Sequence, residues 1–506
     1  MTLHNKTLSL EQLADAAGEA RKEGRTVGLC HGTFDLLHIG HIRHLKQASS
    51  QVDVLFVTVT SDRYVNKGPD RPVFEDHLRA EHISALEFID AVSVNEAETA
   101  VNVLHAVRPD IYFKGEEYSN DADDVTGNIE HERRAVEEGG GRIVFTGGIT
   151  YSSSNLLNSS FKLFPAEVEN YLETIRKTYK PDAILDVLES LSDLRVLVVG
   201  DAIIDEYHYV EVLGQSGKNN MLAAQFRKQE RFAGGSVAVA NHIAEFADQV
   251  TLLSCLGEAR SDEDFIKSKL ARNIAAQFFY QADTMTLCKR RFVSGKEKLF
   301  EVYIGGDQPI DKALDSKIRD WLIANARDFD VVVVPDYGNG FISPAMIEAL
   351  CSKANILSVN TQINSGNRGY HFITRYPNAD FVALNEPELR MALHDRTTGL
   401  EALANKARDQ LSAKWLAVTR GEKGVLFVDA EGNTVEVPAL STKVVDRIGA
   451  GDAFLSVASI CYAKQVAPPL AMLIAAAAAA LDVQIVCNRS PVQKSALAKY
   501  LTSLLK

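Results

Sequence analysis

A short apolar strand, Thr26 to Cys30, runs directly into His31-Gly32-Thr33-Phe34-Asp35-Leu36-Leu37-His38-Ile39-Gly40-His41, and a helix then leads to a second apolar strand, Val54 to Val59. Strand, helix, strand is the parallel βαβ unit, and such a sheet binds its ligand at the carboxyl ends of its strands. The same order recurs further on. Arg195 to Gly200 ends in Asp201-Ala202-Ile203-Ile204-Asp205, and Phe329 to Val334 ends in Pro335-Asp336-Tyr337-Gly338-Asn339-Gly340. Phe381 to Leu384 leads to Asn385-Glu386-Pro387-Glu388, and Leu416 to Thr419 leads to Gly421 and Gly424. Each of these strands delivers polar residues or glycines where an α/β sheet holds a ligand. The expected class is α/β with mainly parallel sheets.

At 506 residues the chain exceeds one ordinary domain, for which about 100–200 residues is usual. Amphipathic helices over 164–177 and up to Ser192, interrupted at Lys180-Pro181, mark a break before the strand at Arg195. The expected division is a first domain over 1–160, a helical linker over 161–192 and a second domain over 193–506. Alternating segments at His208–Val212 and Met221–Arg231, with a hairpin from Thr286–Phe292 and Leu299–Ile304, read as exposed strands that make a small β lid.

A formal charge of −13 gives no general attraction to nucleic acid or to an anionic membrane, so anionic ligands have to be held by local Lys, Arg and helix N-termini. The six cysteines form no Cys-x-x-Cys pair and sit mostly in apolar runs, which fits a reducing, cytoplasmic compartment. The polar start of the chain lacks a signal-peptide pattern, and the longest apolar run, Leu470 to Leu481, is too short to span a membrane.

Two stretches carry chemistry. His38 and His41 are three apart at the first turn of a helix, on one face beside its exposed amides, where two imidazoles can hydrogen-bond phosphate oxygens. In Asp446-Arg447-Ile448-Gly449-Ala450-Gly451-Asp452, Gly449 and Gly451 allow a tight turn that lets helix amides converge on an anion. Asp452 follows where those amides point, a position suited to taking a proton from an attacking hydroxyl.

The stretch from His31 to His41 resembles the signature of the nucleotidyltransferase superfamily with the HxGH motif, and the order of segments over about 9–160 resembles the adenylyltransferase part of the bifunctional enzymes of ADP-heptose synthesis. The resemblance implies a Rossmann-like domain in which Thr33, Phe34, His38, His41, Arg79, Ser152 and Ser153 bind the nucleotide, with His38, His41 and Lys114 catalytic. Gly147-Gly148-Ile149-Thr150-Tyr151 stands where cytidylyltransferases carry Arg-Thr-x-Gly-Ile-Ser, which favours ATP over CTP.

Residues 193–506 resemble the ribokinase-like, PfkB-type sugar kinases, above all the heptose-7-phosphate kinase part of the same bifunctional family. The resemblance implies Asp452 as base and Gly449, Ala450 and Gly451 as an anion hole. It places Thr419, Gly421 and Gly424 against ATP, and Asn385 and Glu388 near Mg2+. Asp205, Gly234, Gly235, Lys289, Arg291 and Asp336 would bind the substrate, with Lys289 and Arg291 on its existing phosphate, and the lid would offer a homodimer interface.

The reaction implied is phosphorylation of a sugar phosphate at the anomeric carbon, D-glycero-D-manno-heptose 7-phosphate being the first candidate. Transfer of AMP from ATP to the resulting sugar 1-phosphate would follow, with ATP the substrate of both domains. Three departures stand out: Ser236-Val237-Ala238 where Ala-Ala-Asn is usual, Arg447 beside the anion hole, and Asn360-Thr361-Gln362 where Asp-Pro is common. One lost buried hydrogen-bonding group changes specificity by about 1–3 kcal/mol, enough to change the preferred sugar. Cytidylyl transfer with another acceptor, or one half kept as a degenerate nucleotide-binding module, are the alternatives. The domain order is also the reverse of that in the familiar bifunctional enzymes.

Overall fold

The computed structural model describes residues 6–65, 71–115, 128–146, 164–216, 219–295, 297–306, 308–441 and 444–505. Ser152 and Ser153 lie outside them. The chain divides into two compact units, Met1–Arg176 with Ala498–Lys506, and Lys177–Leu497. Both are α/β with parallel sheets.

In the first unit the strands are β1 (Val27–Gly32), β2 (Val54–Thr60), β3 (Ala91–Asn95), β4 (Ile111–Gly115) and β5 (Arg142–Thr146). They form one parallel sheet in the order β3-β2-β1-β4-β5. β2 is buried along its whole length, as a strand covered on both faces must be. One face packs Leu13, Ala17 and Ala20 of the helix Leu10–Lys22 against Val103, Leu104 and Val107, and the other packs Leu45, Ala48, Ala80 and Ile83. Ser9 and Gln12 start that first helix with a reciprocal capping box. Strand order reverses between β1 and β4, so the ligand crevice lies where β1 ends in His31-Gly32 and β4 ends in Lys114-Gly115.

The second unit contains β6 (Arg195–Val199), β7 (Ala202–Gln215), β8 (Leu222–Gly235), β9 (Gln249–Gly257), β10 (Ile274–Gln281), β11 (Cys288–Ser294) and β12 (Glu297–Ile304). It continues with β13 (Val331–Asp336), β14 (Leu357–Thr361), β15 (Phe381–Asn385), β16 (Trp415–Thr419), β17 (Val425–Val428) and β18 (Thr434–Val437). Nine of these form a sheet ordered β10-β9-β6-β13-β14-β15-β16-β17-β18, parallel up to β16 and antiparallel beyond it. The helices Ala450–Ala463 and Pro468–Asp482 are buried almost all round, because Ala and Ser let them pack closely beside the sheet. Among the described residues no helix is long and apolar enough to cross a membrane.

The lid is a four-stranded sheet, β12-β11-β7-β8. Its strands reach further than the alternating pattern suggests. β7 begins at Ala202 and β8 runs on to Gly235, because their inner halves are buried and carry no polar alternation to read. The strands therefore rise directly out of the buried core of the unit, and Lys289 pairs in register with Asp205 across β11 and β7.

Candidate active sites

In the first unit His38 caps the helix Ile39–Ser49, its Nδ1 accepting from Gly40 N at 3.0 Å. With Nδ1 an acceptor, the neutral ring carries its proton on Nε2, where it can donate. His41 stacks on His38 with ring centroids 3.9 Å apart, and Phe34, held at a positive φ of 46°, meets His41 edge-on. His31 is held by Thr58 and Thr60 at the carboxyl end of β2. Burial, reinforced by the Lys114 charge, pushes His31 and His44 down to about 4, so both rings are neutral near pH 7. His44, which hydrogen-bonds Thr146, continues the face that carries His38 and His41, one turn deeper. Its spacing of three from His41 is the sequence signal that marks it.

Two basic residues expected in the site, Arg79 on the nucleotide and Lys114 in catalysis, each have a carboxylate partner. Arg79 is fully buried, and its guanidinium donates to Phe74 O, Thr33 O and Thr60 O while pairing with Asp62 at 2.6 Å. A guanidinium committed in this way braces the loops after β1 and β2 and presents no free donor to the crevice. Lys114 pairs with Glu132 at 2.7 Å, and Tyr112 donates to the same carboxylate. Thr33 and Phe34 lie in the loop leaving β1, beside the helix that His38 caps.

The second unit gathers its site from many strand ends. Gly449, at φ 108°, caps the helix Ala450–Ala463, and Asp452 lies in the first turn of that helix with 7% of its surface exposed. Only glycine fits at 449: a Cβ would come 2.6 Å from Asp482 Oδ2. Burial pushes Asp452 up to about 7, with Asp205 adding to the shift and Tyr337, Lys289 and Gln362 opposing it. Gln362, which stands where Asp-Pro is common, donates to Asp452 Oδ1 at 3.1 Å.

Asp205 pairs with Arg291, and Arg291 pairs also with Glu301 at 3.2 Å. Gly234 lies against Asp205, where a Cβ would collide with Oδ2, and Gly235 turns at φ 63° to start the helix Ser236–Ala244. Asp336, expected on the substrate, is otherwise engaged. Its carboxylate accepts from Tyr376 at 2.7 Å and from Gly338 N at 3.1 Å, and faces His371 and Arg375. It organises the turn after β13 rather than presenting a free oxygen.

Asn385 and Glu388 form a reciprocal capping box, and Glu388 Oε1 also accepts from Ile363 N. Burial pushes the Glu388 carboxyl up to about 7. Among the described residues no cluster of three carboxylates, imidazoles or thiols could hold a metal. The oxygen donors do suit a hard cation that keeps its waters and is held mainly by substrate phosphates. Thr419 donates to Leu384 O, and Gly421 and Gly424 follow it at φ 59° and 77°.

A cavity of about 620 Å³ lies between the lid and the loop after β14. Four of its lining residues are cations: Lys289, Arg291, Lys298 and Arg368. Arg291 is committed to Asp205 and Glu301, and Lys298 to Asp446. Lys289, 8% exposed, makes no ion pair among the described residues, and the rings of Tyr303 and Tyr337 lie against its ammonium. Arg368 lies exposed on the opposite wall.

Residues 193–493 match the pfkB family carbohydrate kinases, and residues 29–159 match the cytidylyltransferase-like family. The Bifunctional protein HldE of Citrifermentans bemidjiense is 28% identical over 279 residues, 54% of this chain and 56% of that protein. The protein of the same name from Mesorhizobium japonicum is 39% identical over 149 residues, 28% of this chain and 29% of that protein. The chain spans about half the length, or less, of these curated relatives. Phosphofructokinase-2 from Escherichia coli, solved in complex with fructose-6-phosphate, superposes with a TM-score of 0.50 at 15% identity, covering 62% of this chain and all of that one. That likeness establishes the fold of the second unit.

Proposed function

Because the chain belongs to the pfkB family of carbohydrate kinases, we propose that its second unit moves the γ-phosphoryl of ATP to the anomeric hydroxyl of a sugar phosphate, with D-glycero-D-manno-heptose 7-phosphate as first candidate. The observation that carries the reading is Asp452, a buried carboxyl poised near pH 7 in the first turn of a glycine-capped helix. The hydroxyl oxygen forms a bond to the γ-phosphorus, its proton passes to Asp452, and the bond from γ-phosphorus to the bridging oxygen breaks to release ADP. Gly449, Ala450 and Gly451 turn amides towards the transferring group, and Gln362 holds the base in place. Mg2+, when bound beside Asn385 and Glu388, would offset phosphate charge. Lys289 and Arg368, the cavity cations without a carboxylate partner among the described residues, match the charge of a dianionic phosphate on the acceptor.

The first unit then joins the sugar 1-phosphate to AMP. A phosphate oxygen attacks the α-phosphorus of a second ATP, the bond to the β-phosphate oxygen breaks, and pyrophosphate leaves. His38 and His41 donate to the nucleotide phosphates beside a helix N-terminus, and neutral His31 and His44 keep the floor of the site uncharged. Sharing one chain couples the two steps, since the kinase makes the nucleophile that the transferase consumes. Incubating the full chain with ATP and a panel of sugar phosphates, with products read by mass spectrometry, tests the reading. An ADP-sugar from a 7-phosphoheptose supports it, and no phosphorylated product from any sugar phosphate defeats it.

The match of the first unit to a cytidylyltransferase-like family favours one competing reading, in which CTP replaces ATP. Direct competition between ATP and CTP decides between them. The lid strands expose Leu213, Leu222 and Phe226, with Met221 just before β8, an apolar face suited to a homodimer. A monomeric mass in solution would remove that part of the proposal.

A further inference from the structure

Asp446 stands three residues before the helix cap Gly449 and is buried, and its two carboxylate oxygens gather four donors. Oδ1 accepts from Lys298 Nζ at 2.7 Å and from Ile448 N at 3.1 Å. Oδ2 accepts from the Tyr207 hydroxyl at 3.1 Å and from Cys487 N at 3.2 Å. Two donors are therefore lid side chains, from β12 and β7, and two are backbone amides, one of them immediately before the anion-hole turn. Among the described residues Lys298 is the ion-pair partner of Asp446, and it also lies over the Tyr207 ring.

The position of Lys298 gives the pair a consequence. Phe300, Glu301 and Tyr303, on the same strand, line the cavity together with Lys298 and Ile448. A ligand seated against β12 thus bears on the strand that holds Asp446, while Asp446 holds the amide that leads into Gly449. The amides of an anion hole act only where they are aimed, and a misplacement of about 1 Å can cost about 100-fold in rate. A buried carboxylate with one cation partner is held tightly, because its alternative is an uncompensated buried charge.

We infer that Lys298 is a positioning residue through which the lid sets the Gly449–Gly451 anion hole, acting by way of Asp446 rather than by touching the nucleotide. The inference rests on the kinase reading of the second unit, and it makes phosphoryl transfer depend on the lid even where ATP binding does not.

The test uses Lys298→Met, Lys298→Arg, Asp446→Asn and the double variant Lys298→Met with Asp446→Asn, all in the full chain. Lys298→Met should lower kinase kcat about 10- to 100-fold while the KM for ATP stays within about threefold, and Lys298→Arg should restore most of the rate. The double variant should be no worse than the poorer single one, as expected of two groups acting as a unit. Hydrogen exchange of residues 446–451 in the ligand-free chain should speed up in Lys298→Met and return towards wild type in Lys298→Arg. Wild-type kcat in Lys298→Met overturns the inference, as do additive losses in the double variant or unchanged exchange at 446–451. Failure of the wild-type chain to phosphorylate any sugar phosphate defeats the kinase reading instead, and the exchange measurement still decides whether the lid holds the turn.

Discussion

His38, His41 and His44 come from two turns of one helix, which His44 ties to β5 through Thr146, while His31 at the end of β1 is held by Thr58 of the adjoining β2. Asp452, Gln362, Asp205 and Lys289 come instead from a helix, a loop after β14 and two lid strands. The first site is built by local geometry and uses neutral rings. The second is built by long-range assembly and buries charge, so its carboxyls at 201, 388 and 452 are each pushed up to about 7. A site of the second kind can be tuned by any of several distant segments, and it can also be broken from any of them.

The largest expected effect tests that contrast at Asp452. Asp452→Asn keeps the shape and removes the proton acceptor, for which losses of about 10²–10⁴-fold are typical. The variant should fail to make nucleotide-sugar from a sugar phosphate with a free anomeric hydroxyl, yet make it normally when the anomeric phosphate is supplied. Loss of both reactions, read by mass spectrometry, would mean that the two sites are not separable.

Next in size are His38→Ala and His41→Ala, each expected to cut nucleotidyl transfer about 10²–10³-fold by removing a donor that acts on transition-state charge. Kinase turnover should be unchanged in both. Near-normal transfer in either would mean that the helix amides alone carry the first site.

The pH dependence of kinase turnover should be smaller and set by the second unit. Asp452 has a folded pKa near 7 against an ordinary value of 3.8, so its base form is lost as pH falls below about 7. Kinase kcat/KM should then drop about tenfold per pH unit. The same raised value has a cost in stability. The folded state binds this proton more tightly than the unfolded chain does, so the stabilisation from the protonated carboxyl is lost as pH rises from about 4 to about 7. Asp452→Asn should lack that decline and melt higher than wild type at pH 8. An equal melting temperature at pH 8 would mean that the carboxyl bears no desolvation strain.

Sequence legibility follows the same contrast. A contiguous motif fixes relative position by helix geometry alone, and so the stretch from His31 to His41 already implies that His38 and His41 meet at the start of one helix, as they do. The strand ends of the second unit were equally visible as polar or glycine clusters, and Asp452, Asp205 and Gly234 do meet. Residue type does not reveal a partner, however. Asp336 is spent on Tyr376, His371 and Arg375, which arrive from the segment after β14, and Arg291 is shared between Asp205 and Glu301. Arg368 and the link from Lys298 to Asp446 had no sequence signal, and Gln362 stood out only as a departure, since nothing local brings those residues together with their partners.

Arg79 gives the last and smallest test, because it decides how far the first site is already built before any nucleotide arrives. A phosphate clamp needs donors turned to the crevice, but this guanidinium is fully buried and its donors go to Phe74 O, Thr33 O, Thr60 O and Asp62. Those acceptors lie on the loops leaving β1 and β2 and on the approach to the next helix, so the residue ties together the backbone that frames the crevice. Removing it leaves buried carbonyls and a partly buried carboxylate unpaired, at about 1–3 kcal/mol for each group left unsatisfied. Arg79→Met should therefore lower the melting temperature of the first unit and reduce kcat modestly, with the KM for nucleotide within a few-fold of wild type. A large rise in that KM with unchanged melting would restore Arg79 to the phosphates, and would show that the crevice is finished only when the nucleotide pulls the arginine out of its brace.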